Sequence, residues 1–439
     1  MLRSNSKMAG KEILRRERGF SLIELLVGIM VAILASSAIM VSFSVFDNRK
    51  RTTQSGSDAQ VNGAYALQML EREIRMGGYS YAASIYQDAA IGCVLSGGFS
   101  NFPPAVAPVP VGTLAVPPGA AIMAPVLIVD DANNQGAGGS DVIRVMYGDS
   151  ASVVPFEPSG TTGPSVAMNA GGQGVSTGDT VLFYNSESPT RGCALRRVTT
   201  AGAALGFAPD ADPNRYNNAG LSPDIATDTM FLLGNFRVMT FSTIPLAGAN
   251  GAGRQAANAL YVYEANTGGR NRVVAPLPPD PRVPPGLRQV ELSPDIVNIQ
   301  AQYGLDLTNN DNKTIISQWR DATAANAWDQ ASILNRMLNT PSPAKSPLTE
   351  VKAVRLAVVA RSALLEQRRV AGTCNAPGVD QDMGGATLRV NGLLEFNWPD
   401  GTLGRANVQV ADINNWGCYR YQVSQTVIPL RNVIWSFVK

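Results

Sequence analysis

Histidine is missing from all 439 residues. Its absence removes Ser-His-Asp and Cys-His nucleophile pairs, histidine general bases and the commonest transition-metal ligand in one step. An enzyme is not expected, although chemistry run by carboxylates alone stays open, and no cofactor or metal is expected either. Charge is scarce too, at 16% of the residues. With 42 Gly and 28 Pro beside it, this composition suits a strand-and-turn fold with long loops better than a helical bundle. A basic surplus is absent from most of the chain. Residues 1–19 carry six basic against two acidic side chains, net +4, and the remainder carries 30 against 32, net −2. Nothing in such a near-neutral body argues for direct nucleic-acid binding.

What the chain does contain is one long apolar run. Arg15 to Phe46 reads RRERGFSLIELLVGIMVAILASSAIMVSFSVF, and Leu25 to Phe46 are 22 consecutive residues without a charge. At about 1.5 Å per residue they cover a hydrocarbon core of about 30 Å, so a membrane-spanning helix is expected. A secretory signal peptide has a shorter apolar run, about 7–15 residues, ending in a small-residue cleavage site; no such site follows Phe46. The basic residues before the run should stay cytoplasmic while the rest crosses. Glu24 is out of place, because a carboxylate just inside an apolar helix costs a few kcal/mol at mid-membrane depth. It needs a partner.

The order Gly19, Phe20, Ser21, Leu22, Ile23, Glu24 resembles the signal of type IV prepilins and pseudopilins: a short basic leader, cleavage after Gly, and Glu at the fifth mature position. The resemblance implies that an inner-membrane prepilin peptidase cuts between Gly19 and Phe20 and methylates the new amine of Phe20. It also implies that Glu24 neutralises the terminal amine of a neighbouring subunit during filament assembly. The other reading is an ordinary signal anchor with Glu24 at headgroup level. Ile29 to Asp47 contains no Gly or Pro, whereas many major pilins carry helix breakers there, so the bulk filament protein is not expected.

Taken in order, the chain divides into a leader (1–19), a transmembrane or filament-core helix (20–46), and an amphipathic continuation of that helix (47–78). In the last of these, Val61, Ala64, Leu67, Leu70 and Ile74 recur at spacings of three and four. One helix from about Ser21 to Met76 is expected, stopped by Gly77-Gly78 with Arg72 and Arg75 in its last turn. The head follows in two β-rich parts, 79–275 and 287–439, separated by the proline-dense stretch 276–286, which marks either a boundary or an insertion loop within one head. In the first part Asn101 to Pro118 is too rich in proline for a central strand. Strands are expected at Val126–Val129, Val142–Tyr147, Thr180–Tyr184, Ala194–Thr199, Arg237–Ser242 and Leu260–Glu264, with Phe207 to Asp224 a long polar loop. In the second part, strands are expected at Val297–Leu305 and Val351–Arg361, and a short helix over Trp328 to Leu338. Tyr419–Pro429 with the following LRNVIW should make a terminal strand docked into the core. The fold class is therefore α+β, a long N-terminal helix carrying a β-rich head.

An even cysteine count in an exported chain reads as two disulfides. The sequential pairing, Cys93 with Cys193 and Cys374 with Cys418, keeps each bridge within one part of the head; four buried free thiols are the alternative. Acidic and amide residues cluster at Asp130, Asp131, Asn133, Asn134 and Asp141, and again at Asp306, Asn309, Asn310 and Asp311. Oxygen-rich loops of this kind can hold Ca²⁺, but neither has EF-hand spacing and ordinary Asx turns explain both. Tyr147, Tyr184, Tyr261 and Tyr263 could stack on bases, yet no basic stripe accompanies them and core packing is the expectation.

The second half adds to the resemblance. VNIQAQYGL, a Trp-containing connector, VKAVRLAVVARS and the closing YRYQVSQTVIPLRNVIW are similar to the PilW family of type IV pilus minor pilins, the counterpart of the GspJ pseudopilins. The resemblance implies a minor pilin near the filament tip that primes assembly with other minor pilins, the major pilin and a large tip adhesin, supporting twitching motility, adhesion or DNA uptake. It places the protein in the inner membrane with its head in the periplasm, and later in the pilus. A type II secretion pseudopilin, or a single-pass membrane-anchored binding module, are the alternatives.

Overall fold

The computed structural model describes residues 21–82, 90–95, 121–130, 140–151, 156, 158–162, 165–168, 174–184, 192–207, 229–243, 259–265, 287–307, 316–339, 346–363, 389–390, 393–394, 408–409, 419 and 421–435. Two compact units divide the chain, Met1–Thr53 and Gln54–Lys439.

Helix α1 is Leu22–Met76, 55 residues without a break. Among the described residues it is followed by β1 (Val94–Leu95), β2 (Ala121–Ile122), β3 (Val126–Val129), β4 (Val142–Tyr147), β5 (Pro158–Thr162), β6 (Ser165–Met168), β7 (Thr180–Tyr184), β8 (Gly192–Arg197) and β9 (Ala204–Gly206). Then come β10 (Thr229–Gly234), β11 (Arg237–Ser242), β12 (Ala259–Ala265), β13 (Leu287–Pro294), β14 (Ile296–Leu305) and β15 (Gln318–Asp321). Helix α2 (Gln330–Asn339), β16 (Val351–Arg361), β17 (Arg389–Val390), β18 (Leu393–Leu394), β19 (Val408–Gln409), β20 (Tyr421–Pro429) and α3 (Arg431–Trp435) complete the order.

These strands form three larger sheets: β10-β7-β8-β1-β2, β13-β12-β11-β4-β3 and β15-β14-β16-β20. Two small three-stranded sheets, β5-β6-β9 and β17-β18-β19, stand beside them. Pairing is antiparallel except between β1 and β8. The first sheet is packed on both faces, as the period of two along β7 shows. Leu182 and Tyr184 enter the main core, while Val181 and Phe183 enter a second core that they share with Val166, Leu205 and Phe207.

The second and third sheets are joined at two places. Asp295 alone separates β13 from β14, in a left-handed conformation (φ 58°). Its carbonyl accepts from the Arg361 N–H at 2.8 Å, its carboxylate takes the Arg361 guanidinium at 3.1 Å, and that guanidinium lies 4.4 Å from the centre of the Tyr419 ring. The other junction is Ser140–Asp141. Strand β15 pairs with β14 only from Gln302 onward, which leaves the first half of β14 with open backbone groups on that side. Asp141 closes it, donating its N–H to the Ile299 carbonyl at 2.8 Å and accepting the Ala301 N–H on Oδ2 at 2.7 Å. Ser140 Oγ accepts the Ile299 N–H at 3.0 Å.

Several expectations shift. The apolar face of α1 is turned: Ala59, Gly63, Ala66, Leu70 and Ile74 are buried, Leu67 is partly buried, and Val61, 62% exposed, and Ala64 face outward. The strand expected at Ala194–Thr199 begins at Gly192 and stops at Arg197. Trp328 precedes the helix it was assigned to, buried beside Tyr303 with ring centroids 5.6 Å apart. The terminal strand ends at Pro429, which has no N–H to extend the ladder, and Arg431–Trp435 is a turn of helix instead. Strands β1, β2, β5, β6, β9, β10, β13, β15, β17, β18 and β19 were not expected. The stretch 276–286 lies outside the described residues; the strands on either side of it, β12 and β13, pair with each other. Asn101–Pro118 and most of the Phe207–Asp224 loop also lie outside them. Tyr147, Tyr184 and Tyr261 are buried.

Cys93 and Cys193 are bonded, Cα atoms 5.8 Å apart and 100 residues apart in sequence. The bridge ties the short β1 to β8, its parallel neighbour. Cys374 and Cys418 lie outside the described residues. Closing the 100-residue loop between Cys93 and Cys193 restricts the unfolded chain by about 5 kcal/mol in the chain-entropy model. A Cys93→Ser/Cys193→Ser variant should therefore lose stability of that order in denaturant titrations of the full chain in detergent, with unchanged unfolding as the contrary result.

Candidate functional site

At the start of α1, Ser21 and Glu24 cap the helix reciprocally. Ser21 Oγ accepts the Ile23 N–H at 3.2 Å, and Glu24 Oε2 accepts the Ser21 N–H at 3.1 Å. This is the Ser-x-x-Glu capping box, two orphan donors of a helix start satisfied by two side chains. The spacing is legible in the sequence, although attention to the membrane cost of Glu24 hides it. Gly19 and Phe20 lie outside the described residues.

Beyond the cap every large apolar side chain from Leu22 to Phe46 is exposed. Leu22–Asp47 is long and apolar enough to cross a membrane, and none of it is buried within the chain. An exposed apolar surface of this extent has to be covered by lipid or by another protein. A helix suits either cover because all its backbone groups are satisfied within the segment.

The other half of α1 is seated on the head through small residues. At Gly63 an added Cβ would lie 3.1 Å from Ser424 Oγ and 3.3 Å from Ala360 Cβ, so the helix backbone runs close over β16 and β20. A glycine that weakens the helix locally by about 1 kcal/mol thus permits a close approach to the sheet. Polar groups hold the flank: Ser293 Oγ donates to the Asn62 carbonyl at 3.1 Å, and the Tyr147 hydroxyl donates to Glu73 Oε2 at 2.6 Å. Burial pushes the Tyr147 phenol well up, and the Glu73 carboxylate adds to the shift, so the hydroxyl keeps its proton as a donor.

The helix ends where Gly78 turns left-handed (φ 79°), with its N–H donating to the Met146 carbonyl at 2.9 Å. Asn432 of α3 reaches the last carbonyls, of which that of Met76 also accepts the Tyr79 N–H at 3.0 Å. Its side-chain amide donates to the oxygens of Arg75, Met76 and Gly77 at 3.3, 3.4 and 3.0 Å. The end of the helix and the end of the chain are tied together over 357 residues of sequence, and no local pattern announces this.

As for the suspected cation loops, Asp141 is committed to the edge of β14, and Asp306 donates its N–H to the Glu350 carbonyl at 2.9 Å. Asp131, Asn133, Asn134, Asn309, Asn310 and Asp311 lie outside the described residues. Among the described residues no group of three or more acidic or cysteine side chains is arranged to hold a metal.

Gly63→Leu should cost about 1–3 kcal/mol through overpacking against β16 and β20, while Gly63→Ala should change little because its helix propensity offsets the contact. Asn432→Ala should cost about 1 kcal/mol and speed amide exchange in the last turn of α1. Thermal melts and hydrogen exchange on the full chain check both.

Comparison with known proteins places matches at the two ends of the chain. Residues 286–432, which include β13 to β20 and Asn432, match the PilW family model, described as Type IV Pilus-assembly protein W. Residues 14–40, which hold the cap and most of the exposed apolar run, match the prokaryotic N-terminal methylation motif. No curated protein and no solved structure matches the chain. The two matches support a pilin-like protein of the type IV pilus.

Proposed function

We propose that the chain is a minor pilin of the type IV pilus that helps initiate the filament at its tip, together with other minor pilins, the major pilin and a large tip adhesin. The observation that carries this reading is the division of α1. One half exposes a full set of apolar side chains behind a methylation motif, and the other half is seated on strands that match the PilW model. A helix of that kind is held first by the inner membrane, with the head on the periplasmic side, and then by neighbouring helices in a filament. Twitching motility, adhesion or DNA uptake would follow from the filament and not from chemistry on the head.

In this reading a prepilin peptidase cuts between Gly19 and Phe20, and Phe20 becomes the methylated N-terminal residue. Ser21, the capping residue, then stands second in the mature chain. Glu24 has two partners in succession: the Ser21 N–H that it caps within its own chain, and the terminal amine of a neighbouring subunit. Opposite charges a few ångströms apart in a low-dielectric filament core attract strongly.

Two substitutions at Glu24 separate these roles. Glu24→Gln keeps an acceptor for the cap, so its level in the membrane should match the wild type while its amount in sheared pili falls. Glu24→Ala removes both the charge and the cap, and should also cost about 1 kcal/mol of helix stability. Incorporation of the Gln variant at wild-type amounts would show that the charge has no part in assembly. For processing, Gly19→Val should leave an uncut precursor in the inner membrane. Mass spectrometry locating the mature N-terminus elsewhere than Phe20 would overturn this assignment.

A further inference from the structure

Three arginines are buried among the described residues: Arg144 at 6% exposed, Arg196 at 3% and Arg355 at 4%. A guanidinium keeps its charge at any ordinary pH, so each has to recover the loss of its water from some partner. Arg355 donates to the Gln302 side chain and lies 4.9 Å from the centre of the Trp319 ring. Arg196 donates to the Leu195 carbonyl at 2.9 Å. Arg144 has neither kind of partner among the described residues. Its Nε is sealed from solvent without an acceptor. Burial alone draws its pKa down, to about 10, and no carboxylate acts on it in the opposite direction. At neutral pH it is a buried cation without a counter-ion among the described residues.

Arg144 stands in the middle of β4, between β3 and β11. On its face of the sheet Leu127 lies directly across on β3 and Thr240 directly across on β11, while Ile143 and Val145 point to the other face. Val142, Met146 and Val238 on the same face are buried too, so the surroundings of the charge are largely apolar and screen it little. Thr240, 2% exposed, brings a hydroxyl that can turn its proton toward an anion. Paired residues on adjacent antiparallel strands have Cβ atoms about 4.5–5.5 Å apart, close enough for the hydroxyl and the guanidinium to share one small ligand. The strand beneath them receives the end of α1: the Met146 carbonyl takes the Gly78 N–H, and the Tyr147 hydroxyl donates to Glu73.

We propose that Arg144 and Thr240 form a binding site for one small monoanion, of the size of chloride or formate, on the inner strands of the second sheet. A single positive charge with no carboxylate acting on it calls for a single negative one. The planar fork of N–H donors suits a carboxylate held by two parallel hydrogen bonds, and a halide ion sits in the same fork. Exposure of 6% leaves no path for a bulky anion such as a sugar acid, or for a side chain brought in with its backbone. The anion would serve the stability of the strand that seats the helix, and the site holds whether or not the chain is a pilus subunit.

The test melts the full chain in detergent in sodium gluconate, sodium chloride and sodium formate at equal ionic strength, so that general screening is constant. Chloride or formate should raise the melting temperature over gluconate by about 3 °C, saturably, as mass action requires of a ligand bound by the folded state. The chloride NMR line should broaden when the wild type is added and narrow again with excess formate. Arg144→Met should melt in gluconate at or above the wild-type temperature, because an apolar side chain of similar length relieves the burial of an unpaired charge, and should lose both the salt effect and the broadening. Thr240→Val, which keeps the shape, should need about tenfold more chloride for the same rise. Arg196→Met should keep the salt effect. Equal melting of the wild type in all three salts would overturn the proposal, as would a salt effect that survives Arg144→Met or vanishes in Arg196→Met. A fall of Arg144→Met below the wild type in gluconate would also overturn it, by showing that the chain itself supplies the partner.

Discussion

The structure depends on a single helix that must satisfy two environments in succession. From Leu22 to Phe46 its apolar side chains find no cover within the chain, so they need lipid or other helices; from Ala59 to Ile74 it is part of a protein core. A helix can do both because its backbone hydrogen bonds close within the segment and make no demand on the surroundings. The change of environment is then a change of side chains alone. Where the helix meets the head, its buried positions become small, and Gly63 and Ala66 let it lie close to the sheet. Its end is stopped by Gly78 and by Asn432 reaching the last carbonyls.

That seat explains why the two ends of the sequence carry the recognisable matches. Residues 14–40 contain the cap and most of the exposed run, and residues 286–432 contain the sheet on which the continuing helix rests and the asparagine that caps its far end. The intervening strands build the first sheet and, together with β13, the second, and hold the Cys93–Cys193 bridge. They are bound to the third sheet through Asp295 and Arg361 on one side and Ser140 and Asp141 on the other, where side chains complete a ladder that the strands leave unfinished.

The charged groups of the head follow the same division of labour. Tyr147, with Glu73 and burial both acting to keep its proton, is a fixed donor against α1. Arg361 joins a carboxylate and an aromatic ring at the sheet junction. Each is worth more as a locator than as a source of net stability, since buried charges and polar groups recover little beyond their own desolvation.

Much of this was legible in the sequence. Strands β3, β4, β7, β11 and β16 were bounded to the residue, because each is a run of Val, Ile, Leu or aromatic residues closed by Gly, Asp, Asn, Ser or Pro. The single helix from residue 22 to 76 followed from an uncharged run continuing into apolar spacings of three and four, with a Gly-Gly stop. The Ser21–Glu24 cap could have been read from its spacing alone. Tertiary structure alone decided which flank of α1 is buried. Val61 and Ala64 fit the apolar period as well as Ala59 and Gly63 do, and Ala64 is as small as Ala59; the close approach of Gly63 to Ser424 and Ala360 is what sets the buried flank. It also decided that Asp141 belongs to the edge of β14, that the closing LRNVIW turns into a helix, and that Asn432 caps a helix that ended 356 residues earlier at Met76. Periodicity within a segment reports that the segment has an apolar side; what that side touches depends on surfaces made by residues hundreds of positions away.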